Sequence, residues 1–496
     1  MPFTVRRLAD DKKPRFKIPA WLTIRVVRLL QGLRRKHAEE KEASNRILMF
    51  KRLLVILLAL LCAVAVASAA VQTLVQVKIL SVQNVATITA SPLPVDTYDH
   101  TNVLLLGEGD KTHDGLDLTD SIMVASIDAK TKGVALLSLP RDLYFLKTNR
   151  MGAGRINTLY RDYKGLLVSQ SMKRPEASKA AMAEIGLEVG SALGLEIHHI
   201  IKVDFSGFTQ LVDAIGGVDI DVPQDLTDPE YPGTEDSYET FTLLAGPQHL
   251  DGETALKYAR SRHSTSDFDR SRRQQQILSA VSAQAKNSGL LTHPSKILQL
   301  LGILTGHMET TLTVREMVGL ADIARGIDRS HIAMLQLNDE NGLYDVPLRA
   351  GGFLYAPPRD QFEGASVLLP VSIPEFPVTW KQIRVLAQLF LNDRTVETTP
   401  AITVLNAGAK EGSGRKLSGE LTRYGFAIED VRNATRNEQR ATSVMNAPAA
   451  EQPRALPLAN LLKIPFEPSE SGSGLTILLG KNYSYTPLQA LLTPPQ

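Results

Sequence analysis

The chain has 496 residues, 43% of them hydrophobic and 22% charged, which excludes a disordered or low-complexity polymer and leaves room for two or three folded domains. Its net charge of +2 hides a basic end: residues 1–52 hold fifteen Lys and Arg against five Asp and Glu, about +10, and the remainder is mildly acidic at about −8. The single cysteine, Cys62, excludes a disulfide within the chain, and such avoidance of cysteine suits export from a cell that does not rely on disulfides.

In chain order, residues 1–51 form a basic tail. Its stretch WLTIRVVRLLQGLRRK (Trp21–Lys36) mixes apolar and basic residues at helical spacing. It can lie on an anionic inner leaflet, or be a solvated helix that only enforces topology. LLVILLALLCAVAVASAAV then runs from Leu53 to Val71 without a charge. At about 1.5 Å per residue this run, extended to Val77, crosses a ~30 Å hydrocarbon core. A transmembrane helix over 52–76 is expected. The positive-inside rule puts the tail in the cytoplasm and the bulk of the chain outside the cell, as a single-pass protein of the cell membrane. A cleaved signal peptide, with Ala67–Ala69 imitating a cleavage site, is the alternative. Residues 77–97, β-branched and then proline-broken, read as an extended linker.

The main domain is expected over 98–285. TNVLLLGEGD, SIMVASIDAK and GVALLSLPRD read as three strands, with a turn at Lys132–Gly133. A helix follows over about 173–193, then a strand IHHIIKVDF and a helix GFTQLVDAI with Ser206 as N-cap. Gly216–Gly217 stops that helix before the strand VDIDVP. A long helix begins at SRRQQQ. Strands alternating with helices predict an α/β/α sandwich with a mixed central sheet. Residues 286–397 read as a mainly helical extension with a GGFLYAPPRD loop. A smaller α/β domain is expected over 398–490: AITVLNAG, a glycine-rich turn, a helix RKLSGELTRYGF and a strand GLTILLG, with an exposed polar loop over 432–457. GAKEGSGRK lacks the Gly-Lys-Ser/Thr of a phosphate loop and reads as a strand-to-helix turn.

KYARSRHSTSDFDRSRRQQQ, Lys257–Gln276, gathers five arginines. Arg260 and Arg262 alternate, so in an extended segment both point one way. Arg270 and Arg273 are three apart, on one face of the following helix. Guanidinium groups converging in this manner suit a phosphate or pyrophosphate, which they bind bidentately. The alternative is a set of surface ion pairs with Asp267 and Asp269. Nucleic acid is not expected, because the segment lies outside the cell and no aromatics are interleaved for base stacking. Glu108, Asp110, Asp120, Arg141 and Asp142 fall at strand ends, where α/β sheets gather ligands. Carboxylates there can hold Mg²⁺ while phosphates complete its shell. Alternatively, Asp120 caps a turn and Arg141 pairs with Asp142.

NVLLLG, TDSIMVASID, LLSLPRDLY, RINTLY, VDFSGFTQLVDAIGGVDIDVP, LDGETALKYARSR and SDFDRSRRQQQIL occur in that order over roughly 98–285. Together they resemble the LytR-CpsA-Psr family of cell-wall assembly enzymes, and residues near 400–480 resemble the C-terminal domain often found in the same proteins. The resemblance implies a phosphotransferase that moves a glycopolymer, such as teichoic acid or capsular polysaccharide, from a polyprenyl-pyrophosphate carrier to peptidoglycan. It implies Mg²⁺ as cofactor. It matches Asp120, Arg141, Arg260, Arg262 and Arg270 to the family's pyrophosphate-binding and catalytic positions. Arg273 joins the pyrophosphate set by its helical spacing. Asp120 and Asp110 are the expected metal carboxylates. The chain departs from the pattern at Leu118, where the family often has arginine, and at GEGD, where it has a G-x-D. A non-catalytic wall-regulatory protein that holds polyprenyl phosphates, or a lipid pyrophosphatase, are the alternatives.

Overall fold

Apolar, β-branched runs bounded by glycine and charge make the strands of the central sheet. The computed structural model describes residues 92–109, 116–233, 237–261, 332–343, 345–469 and 474–492, with parts of 269–323. The basic tail, the expected membrane span, Asp110, Arg262 and Asp267 lie outside the described residues. Among the described residues no helix is long and apolar enough to cross a membrane.

The chain enters at β1 (His100–Glu108), β2 (Thr119–Asp128) and β3 (Gly133–Leu139). The short strands β4 (Tyr144–Phe145) and β5 (Gly154–Arg155) pair with each other, and α1 (Ile156–Ser169) and α2 (Arg174–Leu193) follow. Helix α2 ends at Gly194, whose φ of 71° is a left-handed C-cap. Next come β6 (His199–Asp204) and α3 (Phe205–Ala214). The N-cap of α3 is Asp204, which accepts from the Gly207 amide at 2.7 Å, in place of the expected Ser206. Three strand pairings build the outer face: β7 (Val218–Val222) with β10 (Gly246–Leu250), and β8 (Leu226–Pro232) with β9 (Tyr238–Leu243). Helix α4 (Gly252–Arg260) comes next. The sequence reading made Tyr258–Arg260 extended; instead Asp251 caps a helix by accepting from the Thr254 amide at 2.8 Å. A Cβ on Gly252 would sit 2.2 Å from the Thr209 carbonyl, so glycine is what lets α4 start hard against α3.

The stretch expected to be mainly helical supplies two sheet strands, β11 (Met308–Thr310) and β12 (Ile332–Gln336). The six-stranded order is β11-β6-β1-β2-β3-β12. β1 runs parallel to β6 and β3 parallel to β12, while β1–β2, β2–β3 and β11–β6 are antiparallel. This is the expected mixed sheet. One face packs Leu104, Leu106, Val124 and Leu137 against α1 and α2, with Ile156, Tyr160, Ile185 and Val189 buried between them. Truncating one such leucine to alanine costs about 2–5 kcal/mol.

The short pair β13 (Leu354–Tyr355) and β14 (Leu369–Pro370) leads to α5 (Lys381–Ala387). A second sheet follows, from β15 (Ile402–Asn406), α6 (Ser413–Arg423), β16 (Ile428–Asn433), β17 (Val444–Pro448), α7 (Gln452–Leu462), β18 (Phe466–Ser469) and β19 (Leu475–Leu479), in the order β16-β15-β19-β17-β18. This is the expected second α/β unit. The loop expected over 432–457 is instead buried strand β17 and the start of α7. Its apolar residues join the same core as α2 and α5, and the Phe353 and Tyr424 rings meet at 4.8 Å across the junction. The Gly351 amide donates to the Arg423 carbonyl at 2.7 Å, which ties the second unit to the first.

Candidate functional site

The carboxyl ends of β1, β3, β6 and β12 and the start of β2 share one edge of the central sheet. A cavity of about 480 Å³ opens there. Its floor is the sheet face opposite α1 and α2, with Leu105, Met123, Ile201 and Val203. Its wall comes from Phe205 and Phe208 of α3, Leu256 and Ala259 of α4, and Ile277. An apolar slot with charged groups at its mouth can bind an amphiphile with an anionic head.

The mouth is assembled from Asp120, Arg141, Arg260 and Arg270. The β1–β2 register passes from Gly107 opposite Ser121 to Glu108 opposite Thr119, so Asp120 is the extra residue of a β-bulge. Bulges re-aim one side chain at a sheet edge. Gly107 permits the close approach, since a Cβ there would stand 2.9 Å from that of Ser121. The Asp120 Oδ1 accepts from Asn157 Nδ2 at 3.2 Å and from Arg141 Nη1 at 3.5 Å. Asn157 also donates its amide to the Arg141 carbonyl at 3.4 Å, so the start of α1 holds both residues.

Arg141 follows β3, in the turn made by Pro140. Its Nε is buried and has no hydrogen-bond partner, with Asp142 Oδ2 standing off at 3.8 Å. A buried unpaired donor costs about 1–3 kcal/mol, so this atom is a place where a bound anion gains. Asp142 is engaged on its other oxygen by Arg155 Nη1 at 3.4 Å.

Arg260 is the last residue of α4. Its guanidinium lies 4.4 Å from the Phe205 ring centroid and 5.5 Å from that of Tyr231, and Nη1 donates to the Tyr231 hydroxyl at 3.1 Å. Two rings and one hydroxyl orient it and leave further N–H donors for an anion. Arg270 is helical and half-buried, and Gln274, one turn on, lines the same cavity.

Arg273 is placed elsewhere. It is buried, donating from Nε to the Tyr258 carbonyl at 3.0 Å and from Nη2 to the Ser261 carbonyl, and does not line the cavity. Its three-residue spacing from Arg270 sets it round the helix, where it locks the end of α4. Glu108, a strand-end candidate, is also committed. It is buried against Lys202, which in turn pairs with Glu309 at 3.1 Å. Burial raises the Glu108 carboxyl above its ordinary pKa against the pull of Lys202.

Sequence reasoning passed over Gln274, Asn157 and Asp339. Helical spacing from Arg270 was a signal for the first. Nothing in the sequence marked Asp339, which lines the cavity just beyond β12. Among the described residues no three His, Cys, Asp or Glu side chains group closely enough to hold a metal by themselves. The Asp120 carboxylate is the described donor nearest the arginines, and no hydrogen bond among the described residues engages its Oδ2. One carboxylate beside bound phosphates fits Mg²⁺, which keeps several waters and shares substrate oxygens.

The profile of the LytR_cpsA_psr family matches residues 65–354. A second profile, described as LytR cell envelope-related transcriptional attenuator, matches residues 399–483. A Bacillus subtilis protein named polyisoprenyl-teichoic acid–peptidoglycan teichoic acid transferase TagV is 29% identical over 44% of this chain and 51% of its own length. The Corynebacterium glutamicum cell wall biosynthesis protein LcpA is 29% identical over 42% and 40% respectively. A teichoic acid transferase TagU of Oceanobacillus iheyensis is 30% identical over 41% and 57%. The chain thus spans about half the length of the curated relatives it matches. The crystal structure of B. subtilis TagV aligns with a TM-score of 0.43 at 23% identity, covering 60% of this chain and 98% of that one.

Proposed function

The chain belongs to the LytR-CpsA-Psr family, and from that premise we propose that it is a membrane-anchored phosphotransferase. It moves a glycopolymer from a polyprenyl-diphosphate carrier to peptidoglycan at the outer face of the cell membrane. The relatives named as teichoic acid–peptidoglycan transferases support the reaction class. The observation that carries the reading is the joining of an apolar slot to an arginine-lined mouth in one cavity. The slot suits a prenyl chain and the mouth a diphosphate.

In the reaction, an acceptor sugar hydroxyl attacks the phosphorus that bears the glycan. A new P–O bond forms, the P–O bond to the carrier's other phosphate breaks, and polyprenyl monophosphate leaves with the bond's electrons. The product is a glycan–phosphate–peptidoglycan diester. Arg141, Arg260 and Arg270 neutralise charge growing on the non-bridging and leaving oxygens, each charge-assisted bond contributing about 1.5–3 kcal/mol. Asp142 stands next to Arg141 and accepts the hydroxyl proton. Asp120 would hold Mg²⁺, which when bound withdraws charge from the phosphates. Asn157 keeps Asp120 and Arg141 in register.

The test is tail dependence. Geranyl, farnesyl and longer polyprenyl diphosphates are titrated into the full chain beside methyl diphosphate. Burial of the chain predicts affinity rising with each prenyl unit, at about 0.8 kcal/mol per buried CH₂, until the slot is full. Equal affinity for all of them would remove the slot from the account.

A further inference from the structure

The far rim of the cavity has no part in binding the carrier's tail or phosphates. Its position follows from strand order. Arg260 and the apolar slot lie under α3 and α4, beside β6. β12 is four strand places away from β6, about 19 Å at ~4.8 Å per place. Asp120 and Arg141, from β2 and β3, fall between.

On that far side the loop 356–368, which joins β13 to β14, forms the lip, and Ala356, Ser366 and Leu368 line the cavity. The lip is fixed to the arginine end. The Leu368 amide donates to the Asp142 carbonyl at 2.8 Å, and the Tyr144 amide donates to the Leu368 carbonyl at 2.8 Å. The Leu354 amide donates to the Asn338 carbonyl at 3.0 Å, which ties the other side of the lip to the end of β12, where Asp339 lines the cavity. Two partly exposed rings stand on this frame: Tyr144 and Phe362 meet edge to face, centroids 5.0 Å apart and planes at 75°. Tyr355, 38% exposed, precedes the lip. No hydrogen bond or ion pair among the described residues engages the Asp339 carboxylate.

Partly exposed rings held rigidly beside a carboxylate make an amphipathic surface. A sugar ring is its complement, with a C–H face for a ring and hydroxyls for a carboxylate. We propose that the rim formed by Tyr144, Phe362 and Asp339 is a saccharide subsite adjoining the diphosphate mouth. This inference rests on the proposed transferase reading. The sugar comes either from the donor glycan, which leaves the diphosphate on the side away from the prenyl slot, or from the peptidoglycan acceptor.

Calorimetry on the full chain in detergent tests it in two arms. The donor arm compares geranyl-diphospho-N-acetylglucosamine with geranyl diphosphate. The acceptor arm titrates a peptidoglycan disaccharide. Phe362→Leu keeps the packing on Tyr144 but loses the flat face, and should weaken saccharide binding roughly three- to tenfold in one arm. Tyr144→Ala should do the same, and Tyr144→Phe should bind as the parent does. Geranyl diphosphate affinity should not change. The arm that weakens names the source of the sugar. A parent that binds no saccharide in either arm would overturn the subsite. So would variants that match the parent in both arms, or a geranyl diphosphate affinity that falls by the same factor. A parent that binds the disaccharide but no geranyl diphosphate would sink the transferase reading and leave the subsite standing.

Discussion

Arg260 and Arg273 belong to one cluster in the sequence, yet the fold gives them different work, and mutation should separate them. Arg273 is 6% exposed and donates to two buried carbonyls, those of Tyr258 and Ser261. Each cationic hydrogen bond contributes about 1.5–3 kcal/mol, and removing the donor leaves its acceptor unpaired. Arg273→Ala should therefore destabilise the fold by about 3 kcal/mol or more. Arg260 makes one hydrogen bond, to the half-solvated Tyr231 hydroxyl, and two ring contacts. Its loss should cost about 1 kcal/mol of stability but at least tenfold in diphosphate affinity, since one charge-assisted bond is worth about 1.5–3 kcal/mol. Urea unfolding gives the first quantity and calorimetric titration with farnesyl diphosphate the second. An Arg273→Ala protein with parental stability and lost affinity, or an Arg260→Ala protein with the reverse, would refute the division.

Lys202→Met should destabilise by about 3–5 kcal/mol, because Glu108 and Glu309 lose their shared cation, and adding Glu108→Gln should recover part of that in the same unfolding assay. Glu420, buried in the C-terminal unit, accepts from the Tyr485 hydroxyl and the Leu488 amide, and burial is the main cause raising its carboxyl above 4.5. A raised folded pKa means that its stabilising contribution is complete below the unfolded value and is lost as pH rises through the folded one. Stability of the parent should therefore fall relative to Glu420→Gln as pH climbs above about 4.5, and parallel pH profiles would contradict this. Chelation should suppress transfer, and Asp120→Asn should raise the Mg²⁺ concentration for half-maximal rate at least tenfold; an unchanged Mg²⁺ profile would take Asp120 away from the metal.

The central strands were legible because VLLL, IMVAS and VALLSL are apolar, β-branched and stopped by glycine or charge, so a local signal and the burial agree. β12 was not, because its partner β3 is almost two hundred residues upstream and parallel pairing leaves no mark on local sequence. Alternation of Arg260 and Arg262 suggested an extended strand, but the Asp251 cap and the close Gly252 contact decide for helix. Pro453 and Pro457 made 432–457 read as loop. Yet a helix tolerates proline in its first turn, and packing of Ala455 and Leu458 holds the rest. In the site, Asp120, Arg141, Arg260 and Arg270 could be named from residue type and motif. Asn157, Asp339 and the aromatic rim could not, since they are brought in by tertiary contacts between elements far apart in the chain.

The most direct test of the account is product identity. The full chain in detergent is given a polyprenyl-diphosphate-linked oligosaccharide, Mg²⁺ and peptidoglycan fragments, and the products are resolved by mass spectrometry, with Arg141→Ala alongside. The account predicts a glycan–phosphate–peptidoglycan adduct and an equal amount of polyprenyl monophosphate from the parent, falling at least tenfold in the variant. Phosphate release without an adduct would make the protein a hydrolase. Tight binding with no product would make it a holder of the carrier, and either result would contradict transfer.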